Sequence, residues 1–534
     1  MNRLFWTVTL EGQPPVIGSI PAEGEVRINI DVPSGTIKAI TAHLYCPMEK
    51  TEKAFFNGYQ SWSWSPEVVR DDRQRGVDHI PKLLLKQYSF DRYGDYHFWK
   101  YPRKKGCFHG YSYGYIRHEE SYRLFASLDD RLGYTIFSYD ANTGEMTITR
   151  DCAGVHHPGG VLSAFSLYFA EGTENSVFDG WFAAMGCRPR TTKKLAGYTS
   201  WYNRYEAITE QDVRNDLAGC RDLMHPGDLF QIDDGWEPYV GDWSAPDIKK
   251  FPGGMKALSD GIHESGFLSG LWLAPFVCTE KSSVFRNHPD WLLKVEGKPW
   301  KCGCNWGGFY ALDIDVPAVQ EYLAGVFDRL FTKWNFDLVK LDFLYAAAPF
   351  GTADESRAGR MYRAMELLRK WCGDKLILGC GVPLMPSFGK VDYCRIGADM
   401  DLKWDSRTFT HREFVSTKNT LGNSIFRRQL NDRAFLNDPD VFLLRDNNMQ
   451  CTFEQRKIIS TVNKLFGSVL FTSDNVGDYR QEQLDELLKV FSKDDIKILR
   501  AEFMYDNRRV IDIDYIINEK FENFRFDLEN GKIL

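Results

Sequence analysis

The stretch DLVKLDFLYAAAP, residues 337–349, is an apolar run that contains a lysine, Lys340, and an aspartate, Asp342. Such a run is typical of a parallel β-strand that is covered on both faces. Because side chains alternate along a strand, Lys340 and Asp342 project to the same side. A neighbouring cation favours the ionised carboxyl, so we expect Lys340 to keep Asp342 negative. An interior salt bridge without catalytic function is the alternative reading.

From about residue 195 onward, strand-like and helical segments alternate. Helix signals include a capping-box pattern at Thr209 and Asp212, a proline start at Pro317, and the segment 452–466. Eight apolar cores lie at 197–202, 229–233, 267–274, 338–344, 376–380, 393–396, 434–436 and 469–472. Eight alternations over roughly 280 residues predict a (β/α)₈ barrel, whose usual size is about 250 residues. A doubly wound open sheet would carry a glycine-rich phosphate loop, and the sequence has none.

The segments on either side of the barrel have the patterns of antiparallel β structure. VRINIDV (26–32) alternates apolar and polar residues, and TIFSYD and MTITRD are joined by ANTGE, with turn residues at Asn142 and Gly144. Many short strands of this kind predict a β-sandwich, and RRVIDIDYII predicts a small β domain at the end. The predicted fold is therefore multidomain α/β: an N-terminal sandwich (1–190), a TIM barrel (191–485) and a C-terminal β domain (486–534).

Composition narrows the function classes. The 534 residues favour two or three domains. A formal charge of −7 argues against nucleic acid as the main partner. Among twelve cysteines only Cys302 and Cys304 are close together, which is a poor zinc signal, so we expect no metal, no cofactor and reduced thiols. MNRLFWTVTLEGQPP lacks the cleavage site of a signal peptide, and no apolar run is long enough to span a membrane, so we expect a cytoplasmic protein without a membrane partner.

Acidic residues gather where the predicted strands end, which is where such barrels build their active sites. They are Asp233, Asp234, Asp342, Asp399, Asp438, Asp440 and Asp474, accompanied by Trp236, Trp272 and Trp404. A ring of carboxylates suits either a divalent cation or glycoside cleavage, which needs two carboxyls across one bond. Lys340 and Arg395 favour glycoside cleavage, because cations in the site partly replace the charge of a metal.

Five ordered motifs, FQIDDGW, GLWLAPF, VKLDFL, LILGCGVPL and YCRIGAD, resemble the α-galactosidases of glycoside hydrolase family 36. FNGYQSWSWSPE looks like the loop with which that family's sandwich domain reaches over the active site. The resemblance implies that Asp342 is the nucleophile and Asp399 the general acid/base. A double displacement through these two carboxyls predicts a separation of about 5 to 5.5 Å.

The resemblance also implies sugar-binding roles. Asp233 and Asp234 match the aspartates that hold the 4- and 6-hydroxyls of galactose. Further positions that match sugar contacts are Lys340, Arg395, Trp272, Trp201, Tyr202, Cys380 and one or both of Trp62 and Trp64. The expected partner is a small-molecule α-galactoside, and the expected enzyme is a retaining α-galactosidase acting on small oligosaccharides.

Alternatives remain open at this point. A raffinose-type galactosyl transferase or an α-N-acetylgalactosaminidase would use the same site. A carbohydrate-binding or sensing module with a degenerate site is a third alternative, against which the intact pair Asp342 and Asp399 argues, and a metal-dependent barrel enzyme is a fourth. Asp438 and Asp440 are interpreted as a turn around Pro439, and Asp474 as a residue that orders the eighth strand. The histidines at 263, 288 and 411 belong to no clear constellation and are interpreted as surface or structural residues.

Overall fold

Eight parallel strands form the central sheet of the computed structural model, which describes residues 3–405 and 411–534. In chain order they are Leu195–Thr199, Leu229–Ile232, Leu268–Leu273, Leu338–Leu341, Leu376–Gly379, Tyr393–Arg395, Leu436–Asp438 and Val469–Thr472. Consecutive strands pair up to the seventh, the first strand also pairs with the eighth, and a bridge between Val441 and Phe471 links the seventh and eighth strands. The barrel prediction is confirmed; the seventh strand begins two residues later than the predicted core.

Helices surround the barrel and flank the sandwich. They are Lys82–Tyr88, Glu174–Met185, Trp201–Arg204, Glu210–Cys220, Gly254–Glu264, Ser283–Asn287, Pro317–Asp328, Arg357–Cys372, Leu384–Ser387, Thr417–Phe426, Phe453–Phe466 and Gln481–Phe491. The predicted capping box is confirmed, because Thr209 accepts from the Asp212 backbone and Asp212 accepts from the Thr209 backbone. Pro317 occupies the first turn of its helix, as predicted.

Two antiparallel sheets form the N-terminal sandwich. One contains Arg3–Leu10, Val16–Pro21, Gly35–Tyr45, Cys107–Tyr111, Tyr134–Asp140, Glu145–Asp151 and His156–His157; the other contains Gly24–Val32, Lys53–Phe56, Glu67–Val68, Tyr113–His118, Ser121–Ser127 and Gly160–Gly172. Fully buried side chains such as Ile40, Ile148 and Leu167 belong to one shared core. The predicted hairpin is present, with Asp140 opposite Glu145 and Gly144 at φ 76° in its turn.

A buried arginine, Arg427, holds the sandwich loop 57–65 against the barrel. Its guanidinium donates to Asn57 Oδ1 at 3.0 Å, to the Gln60 carbonyl at 3.2 Å and to Ser65 Oγ at 3.0 Å. A charged donor that satisfies several buried acceptors holds a loop rigidly. The loop therefore reaches the strand ends in a defined position.

Two further groups of strands complete the fold. After the third barrel strand the chain leaves the barrel and forms a three-stranded sheet, Val277–Thr279, Lys301–Gly303 and Phe309–Ala311, with a small hairpin of Lys294–Val295 and Lys298–Pro299. This excursion was not predicted, because its strands are only two or three residues long. The C-terminal strands Ile496–Phe503, Val510–Ile517, Lys520–Asp527 and Lys532–Ile533 form one antiparallel sheet.

The predicted domain boundary at 485/486 falls inside the helix Gln481–Phe491. That helix packs on the barrel helix Phe453–Phe466, so we propose a boundary between Phe491 and Ile496. In the part of the chain that the structure describes, no helix is long and apolar enough to cross a membrane. All twelve cysteines are unpaired.

Candidate active site

A cavity of about 340 Å³ lies at the carboxyl ends of the barrel strands. Eight of the predicted site residues line it: Trp62, Trp201, Asp233, Asp234, Trp272, Lys340, Asp342 and Asp399. Both predicted catalytic carboxyls thus face the same space. Their separation of about 5 to 5.5 Å stays a prediction.

Asp342 follows the fourth barrel strand and is buried. Its Oδ1 accepts from the Phe343 backbone N–H at 2.8 Å, and its Oδ2 accepts from Trp272 Nε1 at 3.2 Å. Burial raises the pKa of Asp342, the nearby charge of Lys340 opposes this rise, and the charge of Asp399 adds to it. The carboxyl is therefore held in place by donors, but the cavity penalises its charge.

Lys340 is paired with Asp233 and not with Asp342, which corrects the prediction from the sequence. Its Nζ donates to Asp233 Oδ2 at 2.8 Å, and both side chains are buried. Burial favours the neutral amine, but the negative charges around it, those of Asp233 and Asp342 among them, together raise the pKa of Lys340. Inward side chains of alternate barrel strands share a layer, so a long side chain on the fourth strand reaches the end of the second. Lys340 acts on Asp342 only as a nearby charge.

Asp234 belongs to a pair of buried carboxyls that the sequence did not reveal. Burial and the neighbouring Glu237 raise the pKa of Asp234 well above its usual range, and burial also raises the pKa of Glu237. Trp306 Nε1 donates to Asp234 Oδ2 at 2.8 Å. Two carboxyls in contact cannot easily both be ionised, so this wall of the cavity resists a second negative charge.

Asp399 lies beside Arg395, which is on the sixth strand. Arg395 Nη1 donates to Asp399 Oδ1 at 2.7 Å, and its Nη2 lies 2.6 Å from Asp440 Oδ1. Asp438 Oδ2 is 3.5 Å from Arg395 Nε. The interpretation of Asp438 and Asp440 as a simple turn was incomplete: the Asp440 backbone does donate to Asp438 Oδ1, but both carboxyls also face the arginine. Arg395 is buried and lies behind the cavity wall.

Trp62 and Trp64 occupy different places. Trp62 lines the cavity, packs edge-on against Phe343 with ring centroids 5.0 Å apart, and donates to Cys380 Sγ at 3.3 Å. Trp64 lines a second cavity instead, and its ring lies where a Cβ on Gly422 would be, at 2.2 Å. Of the two candidates, only Trp62 is therefore placed to contact a ligand in the first cavity.

Tyr202 and Cys380 do not line the cavity but contact residues that matter to it. The Tyr202 hydroxyl donates to Asp440 Oδ2. Cys380 is fully buried beside Asp342 and accepts from Trp62. Burial raises the pKa of the Cys380 thiol well above its usual range, so it stays protonated.

Aromatic side chains from distant parts of the chain form another part of the cavity wall. Phe90, Tyr93, His411 and Phe414 line it. The ring centroid of His411 lies 5.1 Å from that of Phe90 and 5.7 Å from that of Tyr93. His411 is buried, so of the two readings from the sequence, surface or structural, the surface reading does not hold. No local motif marks these residues, because loops bring them together. The one available signal was their aromatic character in segments rich in turns.

The residues that the structure describes include no group of three or more His, Cys, Asp or Glu side chains arranged to hold a metal ion.

Comparison with known proteins supports the resemblance drawn from the motifs. Residues 200–362 match the Melibiase family model. An α-galactosidase from Escherichia coli is 30% identical over 152 residues, 26% of this chain and 21% of the relative. The bifunctional α-galactosidase/sucrose kinase AgaSK from Mediterraneibacter gnavus is 29% identical over 271 residues, 48% of this chain and 27% of the relative. The alignments thus span less than a third of these curated relatives.

Solved structures match over the whole chain. TtGalA, an α-galactosidase from Thermus thermophilus in complex with p-nitrophenyl α-D-galactopyranoside, has a TM-score of 0.75 and 26% identity, with 97% of this chain and 98% of that chain covered. The family 36 α-galactosidase AgaA from Geobacillus stearothermophilus has a TM-score of 0.59 at 12% identity, with 96% and 80% covered, which shows a common fold. Together the matches confirm the resemblance to family 36 α-galactosidases.

Proposed function

We propose that this chain is a retaining α-galactosidase that removes terminal α-galactosyl groups from small oligosaccharides. The observation that carries the proposal is the arrangement of carboxyls: Asp342 and Asp399 line one cavity at the strand ends, and the Asp233–Lys340 pair and Asp234 line it too. TtGalA, whose whole length this chain matches, is also described in complex with stachyose, which supports an oligosaccharide substrate.

In the proposed mechanism Asp342 attacks the anomeric carbon while Asp399 gives a proton to the departing glycosidic oxygen. The product of this step is a galactosyl ester of Asp342 and a free leaving group. Forming the ester removes a negative charge beside Asp399, which can then take a proton from water as the water opens the ester. Two inversions return the α configuration.

Recognition of galactose rests on the other carboxyls. Asp233 is held by Lys340, by Gln231 Nε2 at 2.7 Å and by Thr199 Oγ1 at 3.2 Å. Asp234 is held by Trp306. Carboxylates fixed by donors are good acceptors for sugar hydroxyls, and a site built to hydrogen-bond a hydroxyl rejects an analogue that lacks it. We propose that the two aspartates bind the 4- and 6-hydroxyls.

Asp342→Ala tests the mechanism. With p-nitrophenyl α-galactoside the variant should lose turnover, and added azide should restore it by attacking the face that the carboxylate has vacated. That single displacement gives β-galactosyl azide, which NMR identifies. Wild-type turnover by Asp342→Ala without azide would contradict the mechanism. A wild-type protein that cleaves no α-galactoside would contradict the function itself.

Hydrolysis and transfer differ only in the acceptor that opens the ester. A product analysis with an excess of acceptor sugar decides between them: we expect mainly free galactose, whereas a dominant transfer product would favour the raffinose-type transferase. Parallel assays with galactose and N-acetylgalactosamine substrates decide the sugar. We also propose a reducing, cytoplasmic location, which the twelve unpaired cysteines support.

A further inference from the structure

Asp440 is a buried carboxyl for which the mechanism above has no use. It follows the seventh barrel strand, is 2% exposed, and has a backbone φ of 76°. Residues other than glycine rarely adopt this conformation, and it persists where the surrounding contacts hold it. Backbone strain alone marks no site, but two of the three groups that contact this side chain, the Arg395 guanidinium and the Met400 N–H, lead to Asp399.

The first link from Asp440 to Asp399 is a guanidinium fork. Arg395 Nη2 lies 2.6 Å from Asp440 Oδ1, and Nη1 of the same group donates to Asp399 Oδ1 at 2.7 Å. The guanidinium is planar and rigid, so fixing one nitrogen fixes the direction of the other. Asp399 has a side chain that is 34% exposed, so its contact with the buried arginine matters for its orientation.

The second link is through the backbone. The N–H of Met400, the residue directly after Asp399, donates to Asp440 Oδ2 at 2.7 Å. The same oxygen accepts from the Tyr202 hydroxyl. Asp440 therefore restrains Asp399 from both sides, through a side chain and through the next peptide.

Asp440 also changes the charge around Asp399. The charged or titratable groups that face it are Arg395, Asp399, Asp438 and Tyr202. Burial raises the pKa of Asp440 to about 7. The charge of Arg395 opposes this rise, and the negative charges of Asp399 and Asp438 add to it. When it is ionised, Asp440 offsets part of the guanidinium charge beside Asp399. A general acid needs its proton until the leaving group departs.

We propose that Asp440 is the positioning residue of the general acid/base: it directs Arg395 and the Met400 peptide onto Asp399 and offsets the guanidinium charge beside that carboxyl. The proposal rests on the proposed function. Asp440 does not touch the reacting atoms. Replacing it should therefore slow the steps in which Asp399 moves a proton and leave the binding of the sugar unchanged.

Asp440→Asn tests this by comparing two leaving groups. p-Nitrophenolate leaves without much help from an acid, whereas the sugar that leaves from raffinose needs a proton. General acid catalysis contributes about 100- to 10,000-fold, so a misplaced acid should lower kcat/KM for raffinose by about 100-fold. The value for the p-nitrophenyl substrate should fall much less. The alkaline limb of kcat/KM for raffinose should move to lower pH, because the arginine charge is less well offset.

Azide gives a further readout. In Asp440→Asn the galactosyl ester still forms from the p-nitrophenyl substrate, but Asp399 activates water poorly. Azide needs no base: it forms a C–N bond as the ester C–O bond breaks and leaves Asp342 as its carboxylate. The product is α-galactosyl azide, the opposite anomer to that expected from Asp342→Ala. Azide should therefore raise kcat of Asp440→Asn with this substrate and leave wild type unaffected.

Asp392→Asn is the matched control. Asp392 is another buried aspartate; it lies directly before the sixth barrel strand, which carries Arg395, at the end away from the cavity, and it accepts from Arg369 Nη2 at 2.7 Å and from the Ile377 backbone at 2.8 Å. This variant also breaks a buried ion pair, but its effect should be equal on both substrates, with no azide response.

The outcomes separate the two proposals. If Asp440→Asn lowers kcat/KM equally for raffinose and for the p-nitrophenyl substrate, or leaves the alkaline limb of kcat/KM for raffinose unshifted, the positioning role is overturned. If Asp440→Asn does not fold, Arg395→Lys replaces it, since a lysine keeps the charge but cannot bridge two carboxylates as a fork does; the same leaving-group pattern is expected, and its absence would overturn the proposal. Failure of wild type on both substrates would instead contradict the proposed function.

Discussion

Trp306→Phe isolates one hydrogen bond in the wall of the cavity at the strand ends. The indole N–H of Trp306 donates to Asp234 Oδ2 at 2.8 Å. Phenylalanine keeps an aromatic ring among Trp272, Phe309 and Phe343, whose centroids lie 6.0, 5.3 and 4.9 Å away. The substitution therefore removes a donor and leaves most of the packing.

The expected magnitude follows from leaving a buried carboxyl oxygen without its donor. Such a loss costs about 1 to 3 kcal/mol, and at about 1.4 kcal/mol per tenfold this lowers kcat/KM by about 5- to 150-fold. The Trp306 hydrogen bond also opposes the rise that burial and Glu237 impose on the pKa of Asp234. Without it the pKa rises further, so the carboxylate is lost at a higher pH. The acidic limb of the profile should move upward.

The assay is kcat/KM for p-nitrophenyl α-galactoside as a function of pH. Trp243→Phe is the control: Trp243 is fully buried 5.9 Å from the Trp272 ring, but its indole N–H has no hydrogen-bond partner among the described residues. We expect that control to stay close to wild type at every pH. Equal effects of the two substitutions would refute the role of the Trp306 donor, because only lost aromatic volume would then explain them.

Three further predictions each give the direction of a change. In Lys340→Met the cation that opposes the raised pKa of Asp342 is gone, so the acidic limb of kcat/KM should move to higher pH; an unmoved limb would contradict the electrostatic role. Glu237→Gln should move the acidic limb of kcat/KM to lower pH, because the charge of Glu237 raises the pKa of Asp234. A shift to higher pH would refute this role of Glu237. Trp62→Phe should raise KM for p-nitrophenyl α-galactoside more than Trp64→Phe does, because only Trp62 lines the cavity, and equal effects would argue against that assignment.

The sequence predicted the parts of the protein that are encoded locally. A buried parallel strand is a short apolar run, so the eight strands could be predicted from eight apolar cores. A carboxylate at the end of a strand lies within a few residues of it, so the positions of Asp233, Asp342 and Asp399 at strand ends could be predicted too. Capping at Thr209 is likewise a pattern of four residues. Each of these features depends on neighbours in the chain.

The features that the sequence did not predict depend on closure of the barrel. The partner of Lys340 is across the third strand, and only the layering of inward side chains decides between Asp233 and Asp342. Trp306 is carried by an excursion of very short strands. Asp440 stands in LNDPD, which has the same turn pattern whether it faces water or, as here, a buried arginine.

The proposed mechanism requires that Asp342 becomes covalently bound to the sugar during turnover. Rapid acid quenching with a galactoside whose fluorine substituent slows opening of the ester, followed by proteolysis and mass spectrometry, tests it most directly. We predict a galactosyl adduct on the peptide that contains Asp342, absent from Asp342→Ala. An adduct on any other residue, or active enzyme that accumulates none under these conditions, would contradict the account.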